Sequence, residues 1–244
     1  MKNYNITSLF SGCGGLDLGF NGGFKFLQKN YARLKFETVY ANDIDKNACI
    51  TFQNNFHKNI VYSDINVIDI AKLQYTDIVI GGFLCQDFSH AGKRLGFDSE
   101  RGNLYKSMRS VIKRIKPKLF LAENVKGLLT INSGKAIETI IKDFKNLGYN
   151  IVYKLLKVSD FEVSQKRERV IIIGTKKDTL PQFNFNVIQT NKTCSVHDII
   201  QDLENYEEGF ISNHKWSKAK INKFKCLQTN WQCSSTSFCM AHSK

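Results

Sequence analysis

Prolines and long apolar runs are scarce in this chain of 244 residues. Only two prolines occur, and no apolar run approaches the roughly 20 residues that a membrane-spanning helix needs. The apolar core of a signal peptide is also missing, because residues 1–5 lead directly into a strand-like segment. These absences argue against a membrane protein and predict a soluble, cytoplasmic one.

The cysteines are seven in number, which is odd, and they include no Cys-x-x-Cys pair. Both facts argue against a disulfide framework in a chain of this length. At most one of these cysteines need be reactive, and its surroundings must identify it.

Acidic residues are few relative to basic ones. Lys and Arg number 35 against 22 Asp and Glu, which gives a formal net charge of +13 at pH 7. Such a chain attracts polyanions, because each phosphate that it neutralises releases condensed counterions. The charge therefore favours a nucleic-acid partner, although a generic basic surface would have the same composition.

Short apolar runs alternate with amphipathic stretches up to about residue 175, which indicates a mostly parallel α/β sheet. Strands are predicted at 5–10, 37–41, 77–81, 119–122, 151–158 and 170–174. Helices are predicted from about residue 16 and at 46–56, 103–115 and 135–147. The sequence becomes polar after residue 176, and the last residues show no clear element. We predict a main domain at 1–176, a polar segment at 177–225 and an irregular tail at 226–244.

A glycine-rich turn, residues 10–15 (Phe-Ser-Gly-Cys-Gly-Gly), lies between the first predicted strand and the first helix. Glycines allow a ligand to approach the backbone, and a helix start offers free N–H groups, although a purely structural turn has the same pattern. No Gly-x-Gly-x-x-Gly motif is present, which argues against NAD. At the end of the second strand, Asp43 is placed to accept ribose hydroxyls, and Asp45 is suited to cap the next helix.

Cys85 directly follows a predicted buried strand, within the segment Gly-Gly-Phe-Leu-Cys-Gln-Asp-Phe-Ser at 81–89. A cysteine at a strand end faces a cleft, and its thiolate is stabilised near the start of a loop or helix. Isolated cysteines are more often inert core residues. The glycine pair before Cys85 and the polar loop after it favour a reactive thiol.

Two further polar groups stand at predicted strand ends. Glu123 follows an apolar run at 119–122, where a carboxyl can hold or deliver a proton. In the segment 165–169, alternate residues share one face of an extended chain, so Gln165, Arg167 and Arg169 point together. That face suits an anion or the polar edge of a base. A salt-bridged glutamate and a solvated charge run are the alternatives.

In this order the motifs resemble those of the DNA cytosine-5 methyltransferases: Phe-x-Gly-x-Gly-Gly, Asn-Asp, Gly-Phe-x-Cys-Gln-x-Phe-Ser, Glu-Asn-Val and Gln-x-Arg-x-Arg. The resemblance covers roughly residues 4–176 and extends to about 224. It implies a Rossmann-like, S-adenosylmethionine-dependent methyltransferase fold with helices on both faces of a mostly parallel, twisted sheet. It also implies S-adenosylmethionine as the cofactor and double-stranded DNA as the substrate.

The resemblance implies a set of cofactor contacts along the first half of the sheet. These are Phe10, Gly12, Gly14, Gly15, Leu16, Asp43, Ile44, Asp64 and Ile65. Asp43 would take the ribose hydroxyls and Asp64 the adenine amino group. Many relatives carry an aromatic residue where Ile44 stands, so ring stacking on the adenine is expected to be weaker here. No metal ion is expected.

The resemblance also implies the catalytic residues. Cys85 would add to C6 of a cytosine flipped out of the duplex, and Glu123 would protonate N3. Arg169 would hold the O2 side of the base, with support from Arg167 and Asn124. The loop at 87–102 resembles the segment that closes over DNA.

One departure from the family is Leu84, since relatives have proline immediately before the cysteine. Proline fixes φ near −65° (about ±15°) and stiffens the turn that aims the thiol. We expect Leu84 to cause an aiming defect without loss of folding, so Leu84→Pro should raise the rate of DNA methylation. An unchanged rate in a methyl-transfer assay would contradict this expectation.

A second departure follows the arginine motif, where relatives carry a target-recognition region, an Arg-x-x-x-Pro motif and a Gly-Asn motif that are not found here. We predict a truncated restriction-modification enzyme, or one subunit of a split enzyme whose second chain supplies these parts, with 177–225 as the start of the recognition region. The alternatives are an inactive remnant that only binds cofactor or DNA, and an RNA cytosine-5 methyltransferase. The tail cysteines match no zinc spacing, so 226–244 is interpreted as a truncated or frame-shifted end.

Overall fold

The computed structural model describes residues 3–26, 29–83, 104–188 and 195. The chain divides into two units, the first made of Met1–Lys157 and Arg167–Gln189, the second of Val158–Lys166 and Thr190–Lys244. In the second unit, Val158–Phe161 forms a short 3₁₀ helix. The elements that carry the candidate site belong to the first unit.

The described part of the first unit contains one seven-stranded sheet and one two-stranded hairpin. The strands are β1 (Tyr4–Leu9), β2 (Phe24–Phe26), β3 (Lys29–Tyr31), β4 (Phe36–Asp43), β5 (Val61–Tyr62), β6 (Ile78–Gly82), β7 (Leu119–Val125), β8 (Tyr149–Lys157) and β9 (Glu168–Lys176). The large sheet has the order β5-β4-β1-β6-β7-β9-β8, and β2 pairs with β3.

The predicted mostly parallel sheet is confirmed. Neighbouring strands from β5 to β7 in the sheet order run parallel, whereas β9 runs antiparallel to both β7 and β8. The parallel strands therefore end at one edge of the sheet, and β9 begins at that edge. Sequence patterns missed β2, β3 and β5, which are only three, three and two residues long.

The helices are α1 (Gly15–Asn21), α2 (Lys46–Phe56), α3 (Leu104–Ile115) and α4 (Lys135–Asn146). Asp45 caps α2 as predicted, since its carboxylate accepts hydrogen bonds from the amides of Asn47 and Ala48. Among the described residues, no helix is long and apolar enough to span a membrane.

The helices lie on both faces of the sheet, as the fold class predicts. Ile78 and Ile80 of β6 pack with Leu16 and Phe20 of α1 on one face. Val79, which points the opposite way, belongs to the larger core together with buried residues of α3 and α4. In α3 this buried set includes Met108, Val111, Ile112 and Ile115, spaced as one face of a helix.

Gly174 on β9 leaves room for the fully buried ring of Phe120, which a Cβ at this position would overlap. The ring cannot easily move, because its centroid lies 4.6 Å from that of Phe144 and 5.2 Å from that of Tyr149. We expect Gly174→Ala to lower the free energy of unfolding by about 1–3 kcal/mol, measured by denaturant titration.

Gly19→Ala is the matched control for this substitution. Gly19 lies in α1, and a Cβ there meets no atom within 4 Å. Because alanine is a better helix former than glycine, the free energy of unfolding of the control should stay unchanged or rise by up to about 1 kcal/mol. Equal stability of the Gly174→Ala variant and the wild type would contradict the packing argument.

Candidate active site

The carboxyl ends of β1, β4, β6 and β7 meet at one edge of the sheet, together with the start of β9. The register pairs Leu9 with Asn42 and with Gly81, and it pairs Gly82 with Glu123. Across β7 and β9, Val125 pairs with Arg169. The structure therefore brings the glycine turn, the predicted ribose-binding strand end, Glu123 and Arg169 to the same edge.

The turn after β1 is held in an uncommon backbone conformation. Phe10 has a φ of 53°, in the left-handed region that non-glycine residues seldom occupy. Ser11 fixes the turn, since its amide donates to the Asn42 carbonyl at 3.0 Å and its hydroxyl donates to the Ser8 carbonyl at 3.1 Å. Strain at Phe10 of about 1 kcal/mol or more is thus imposed by its neighbours, as is frequent at ligand sites.

The glycines of the turn have different surroundings. A Cβ at Gly12 or Gly15 would meet no atom within 4 Å, whereas a Cβ at Gly14 would overlap the Phe56 ring of α2. Gly14 is therefore needed for packing, in addition to its φ of 87°. Gly12 and Gly15 face open space, which leaves room for a bound ligand beside the backbone.

Asp43, at the end of β4, is tied to this turn. One carboxylate oxygen accepts the Gly12 amide at 2.7 Å, and the other accepts the Asp45 amide at 2.8 Å. Each oxygen retains a second lone pair. Asp43 therefore both fixes the turn and can still accept a hydrogen bond from a ligand hydroxyl.

The remaining predicted cofactor residues lie nearby along the chain. Ile44 follows Asp43 and is 65% exposed, while Ile65 is buried. Asp64 caps a 3₁₀ turn by accepting the Asn66 amide at 2.9 Å, a role that sequence patterns did not predict. The segment is joined to β4 because the Ser63 amide donates to the Asp43 carbonyl at 3.0 Å.

Cys85 and Leu84 lie outside the described residues, as does the predicted loop at 87–102. The chain is described up to Phe83, which is buried. The side-chain amide of Asn124 donates to the Phe83 carbonyl at 2.9 Å, and its oxygen accepts the Val125 amide at 2.8 Å. Asn124 thus fixes the backbone two residues before Cys85.

Glu123 faces Arg169 of β9 and Arg167, which directly precedes that strand. Its Oε1 lies 2.8 Å from Arg169 Nε and 3.7 Å from Arg167 Nη2, and these side chains are 24%, 22% and 27% exposed. The Arg169 Nε–H group is buried and not aligned on the carboxylate, so the contact is an ion pair rather than a good hydrogen bond. Burial and the Arg169 cation lower the pKa of Arg167. The predicted common face of the two arginines is therefore confirmed.

A second ion pair supports this end of β9. Lys126 Nζ lies 2.8 Å from Glu168 Oε2, and Arg169 Nη1 donates to the Glu168 carbonyl at 2.8 Å. The Lys126 cation lowers the pKa of Glu168. The pairing of Lys126 with Glu168 is not visible in the sequence, because it crosses from the turn after β7 to β9. Gln165 belongs to the second unit, and its place beside the arginines stays a prediction.

Comparison with known proteins assigns the family. The sequence profile described as C-5 cytosine-specific DNA methylase matches residues 4–241. The chain belongs to this family. It is 48% identical over 176 residues to the Type II methyltransferase M.NgoFVII of Neisseria gonorrhoeae, covering 71% of this chain and 44% of that protein. It is 36% identical over 225 residues to the Type II methyltransferase M.FnuDI of Fusobacterium nucleatum, covering 86% and 62%.

Solved structures of methyltransferases support the fold. The Entamoeba histolytica methyltransferase EhMeth superimposes with a TM-score of 0.61 at 17% identity, covering 79% of this chain and 58% of that one. The S. pombe Dnmt2 methyltransferase gives a TM-score of 0.58 at 19% identity, with 92% and 67% covered. The chain spans less than two thirds of the length of M.NgoFVII and M.FnuDI.

Two buried features of this family member escaped the sequence analysis. Asp17 of α1 accepts hydrogen bonds from Ser8 and Thr38, although in sequence it reads only as an acidic residue in the first turn of a helix. Cys49 of α2 is a free and buried thiol, which the cysteine spacing does not indicate.

Proposed function

We propose that this chain methylates C5 of cytosine in double-stranded DNA, with S-adenosylmethionine as methyl donor and Cys85 as nucleophile. The observation that carries the proposal is the ion pair of Glu123 with Arg169, beside the strand end that leads to Cys85. The relatives named Type II methyltransferases support a role in a restriction-modification system. A second chain that completes the enzyme stays a prediction.

The residues at the glycine turn suit the proposed cofactor. Open space beside Gly12 and Gly15 would receive the methionine part, and Asp43 has lone pairs for the ribose hydroxyls. Phe10, Gly14, Leu16, Ile44, Asp64 and Ile65 would complete the contacts. Bound there, S-adenosylmethionine supplies an electrophilic methyl group.

The chemistry needs a nucleophile and an acid, because C5 of cytosine is itself a poor nucleophile. The Cys85 thiolate forms a bond to C6, and the electron pair of the C5–C6 double bond moves toward N3, which takes a proton from Glu123. C5 would then take the methyl group as its bond to the sulfonium sulfur of the donor breaks and S-adenosylhomocysteine leaves. A base removes the C5 proton, the sulfur–C6 bond breaks, and Glu123 recovers its proton from N3.

Arg169 and Arg167 explain how Glu123 is held before a base arrives. Their cations lie 2.8 Å and 3.7 Å from one carboxyl oxygen of Glu123, which fixes this side chain at the end of β7. A cytosine whose O2 accepts a hydrogen bond from Arg169 would then lie with its N3 beside Glu123.

A cytosine in duplex DNA must be flipped out to react, because its C6 is covered on both sides within the base stack. The net charge of +13 supports DNA as the partner. Binding should weaken steeply as salt rises, since phosphate contacts release counterions.

The test uses the full chain, tritiated S-adenosylmethionine and duplex DNA in which 5-fluorocytosine replaces cytosine. Fluorine at C5 blocks the final elimination, so the proposed reaction should trap a covalent protein–DNA complex that survives denaturing gels and carries the label. RNA of the same sequence serves as the parallel substrate. Cofactor binding without any adduct would reduce the chain to a binding protein, and an adduct on RNA alone would assign the other substrate.

A further inference from the structure

A buried carboxylate lies beneath the glycine turn, and the proposed mechanism does not use it. Asp17 is 0% exposed, and its two oxygens accept hydrogen bonds from the Ser8 hydroxyl at 2.9 Å and from the Thr38 hydroxyl at 2.7 Å. Ser8 and Thr38 are themselves buried. The group is therefore sealed from solvent and cannot touch DNA.

The three residues join α1, β1 and β4, the segments that flank the glycine turn and lead to Asp43. Asp17 stands on α1 just after the turn, Ser8 lies on β1 two residues before Phe10, and Thr38 lies on β4 five residues before Asp43. The Asp17 carboxylate therefore links α1 to both β1 and β4. Any shift of α1 relative to β1 or β4 would change at least one of these two hydrogen bonds.

This arrangement has a cost in stability. Among the described residues Asp17 forms no ion pair, and burial raises the pKa of its carboxyl. Two hydroxyl donors compensate only part of the desolvation of a carboxylate, and an apolar side chain would anchor a helix to a sheet at lower cost. A buried group that opposes stability is expected where function requires it.

We propose that Asp17 is a positioning residue for the cofactor: it holds the turn at 10–15 and Asp43 in the spacing that receives S-adenosylmethionine. The inference rests on the proposed function. Asp17 itself does not contact the cofactor. The two hydroxyl bonds transmit its effect, because Ser8 leads into the turn and Thr38 into the strand that ends at Asp43.

The test measures cofactor affinity and stability separately, in Asp17→Asn and in the full wild-type chain. Asparagine keeps the shape of the side chain, but its NH₂ group cannot accept a hydrogen bond. One of the two hydrogen bonds from Ser8 and Thr38 must therefore break or reverse its direction. The expected result, by isothermal titration with S-adenosylmethionine, is a Kd raised about tenfold, as for the loss of a charge-assisted hydrogen bond. The free energy of unfolding without cofactor should not fall, because a buried charge has been removed.

Asp143→Asn is the matched control, since Asp143 is a partly buried aspartate of α4 that contacts Tyr105 and Arg109 away from the turn. It should leave the Kd unchanged. Thr38→Val removes one donor while keeping the carboxylate, and it should raise the Kd and also destabilise the fold. In Asp17→Asn, an unchanged Kd, or a raised Kd together with a lower free energy of unfolding, overturns the inference. A wild-type chain that binds no S-adenosylmethionine overturns the proposed function itself.

Discussion

Cys85→Ser is expected to abolish methyl transfer and the covalent complex with 5-fluorocytosine DNA, while S-adenosylmethionine still binds with the wild-type Kd. The reason is ionisation, because a thiolate is accessible near neutral pH and a serine alkoxide is not. Without a nucleophile bound to C6, C5 stays too weak a nucleophile to take the methyl group. The measurement is the labelled adduct on a denaturing gel, together with the cofactor Kd by isothermal titration.

Cys49→Ala is the control that separates this role from general cysteine chemistry. Cys49 is the described free thiol, buried in α2, with its sulfur 3.7 Å from the Asp43 carbonyl. Burial raises the pKa of this thiol, and the nearby Asp43 and Asp45 carboxylates raise it further, so it is a poor nucleophile. The variant should form the adduct at the wild-type rate. An adduct that persists in Cys85→Ser and disappears in Cys49→Ala would mean that the nucleophile is misassigned.

The elements predicted from sequence are those whose signals are local. Helix α2 was predicted at its observed bounds, because Asp45 is a strong cap and the apolar residues after it have helical spacing. The buried strands β6 and β7 are predicted by their runs of apolar residues. The strands β2, β3 and β5 were missed because two or three residues carry no period, so pairing partners alone define them.

The site was predicted in its parts but not in its contacts. Asp43 and Glu123 were predicted at strand ends, and parallel strands end together. Arg169 was predicted at the start of a strand, and only the antiparallel direction of β9 brings it to the same edge. That Glu123 and Arg169 form an ion pair depends on the antiparallel register of β7 and β9, which no local pattern specifies. Asp43 was expected to face a ribose, and its bonds to two backbone amides emerged only from the folded turn.

Asp17 shows the same limit from another side. An acid in the first turn of a helix is ordinarily a solvated partner of the helix dipole. Its burial between β1 and β4 follows from the packing of α1 on the sheet. This packing brings Asp17 into contact with Ser8 and Thr38, which are 9 and 21 positions away in the sequence. Roles that rest on such long-range contacts require the structure.

Glu123→Gln is expected to lower kcat by about 10²–10⁴-fold, the range typical of general acid catalysis. Glutamine can donate a hydrogen bond to N3 but cannot transfer a proton, so negative charge would build up on the base as Cys85 adds to C6. The measurement is single-turnover methyl transfer at saturating DNA and cofactor.

The same substitution should change DNA binding in the opposite direction. Without the carboxylate, Arg167 and Arg169 lose the anion that lies 3.7 Å and 2.8 Å from them, and the site gains one net positive charge. The Kd for duplex DNA is therefore expected to stay equal or fall, most clearly at low salt. A substitution that merely damaged the fold would weaken both binding and turnover.

Glu168→Gln is the matched control, because it removes a neighbouring carboxylate that pairs with Lys126 and faces neither arginine in an ion pair among the described residues. Its effect on kcat should be small, since an exposed ion pair contributes little. If Glu168→Gln loses as much turnover as Glu123→Gln, the loss reflects the local charge balance and not proton donation. If Glu123→Gln keeps a kcat within about threefold of the wild type, the acid lies elsewhere, because general acids contribute far more.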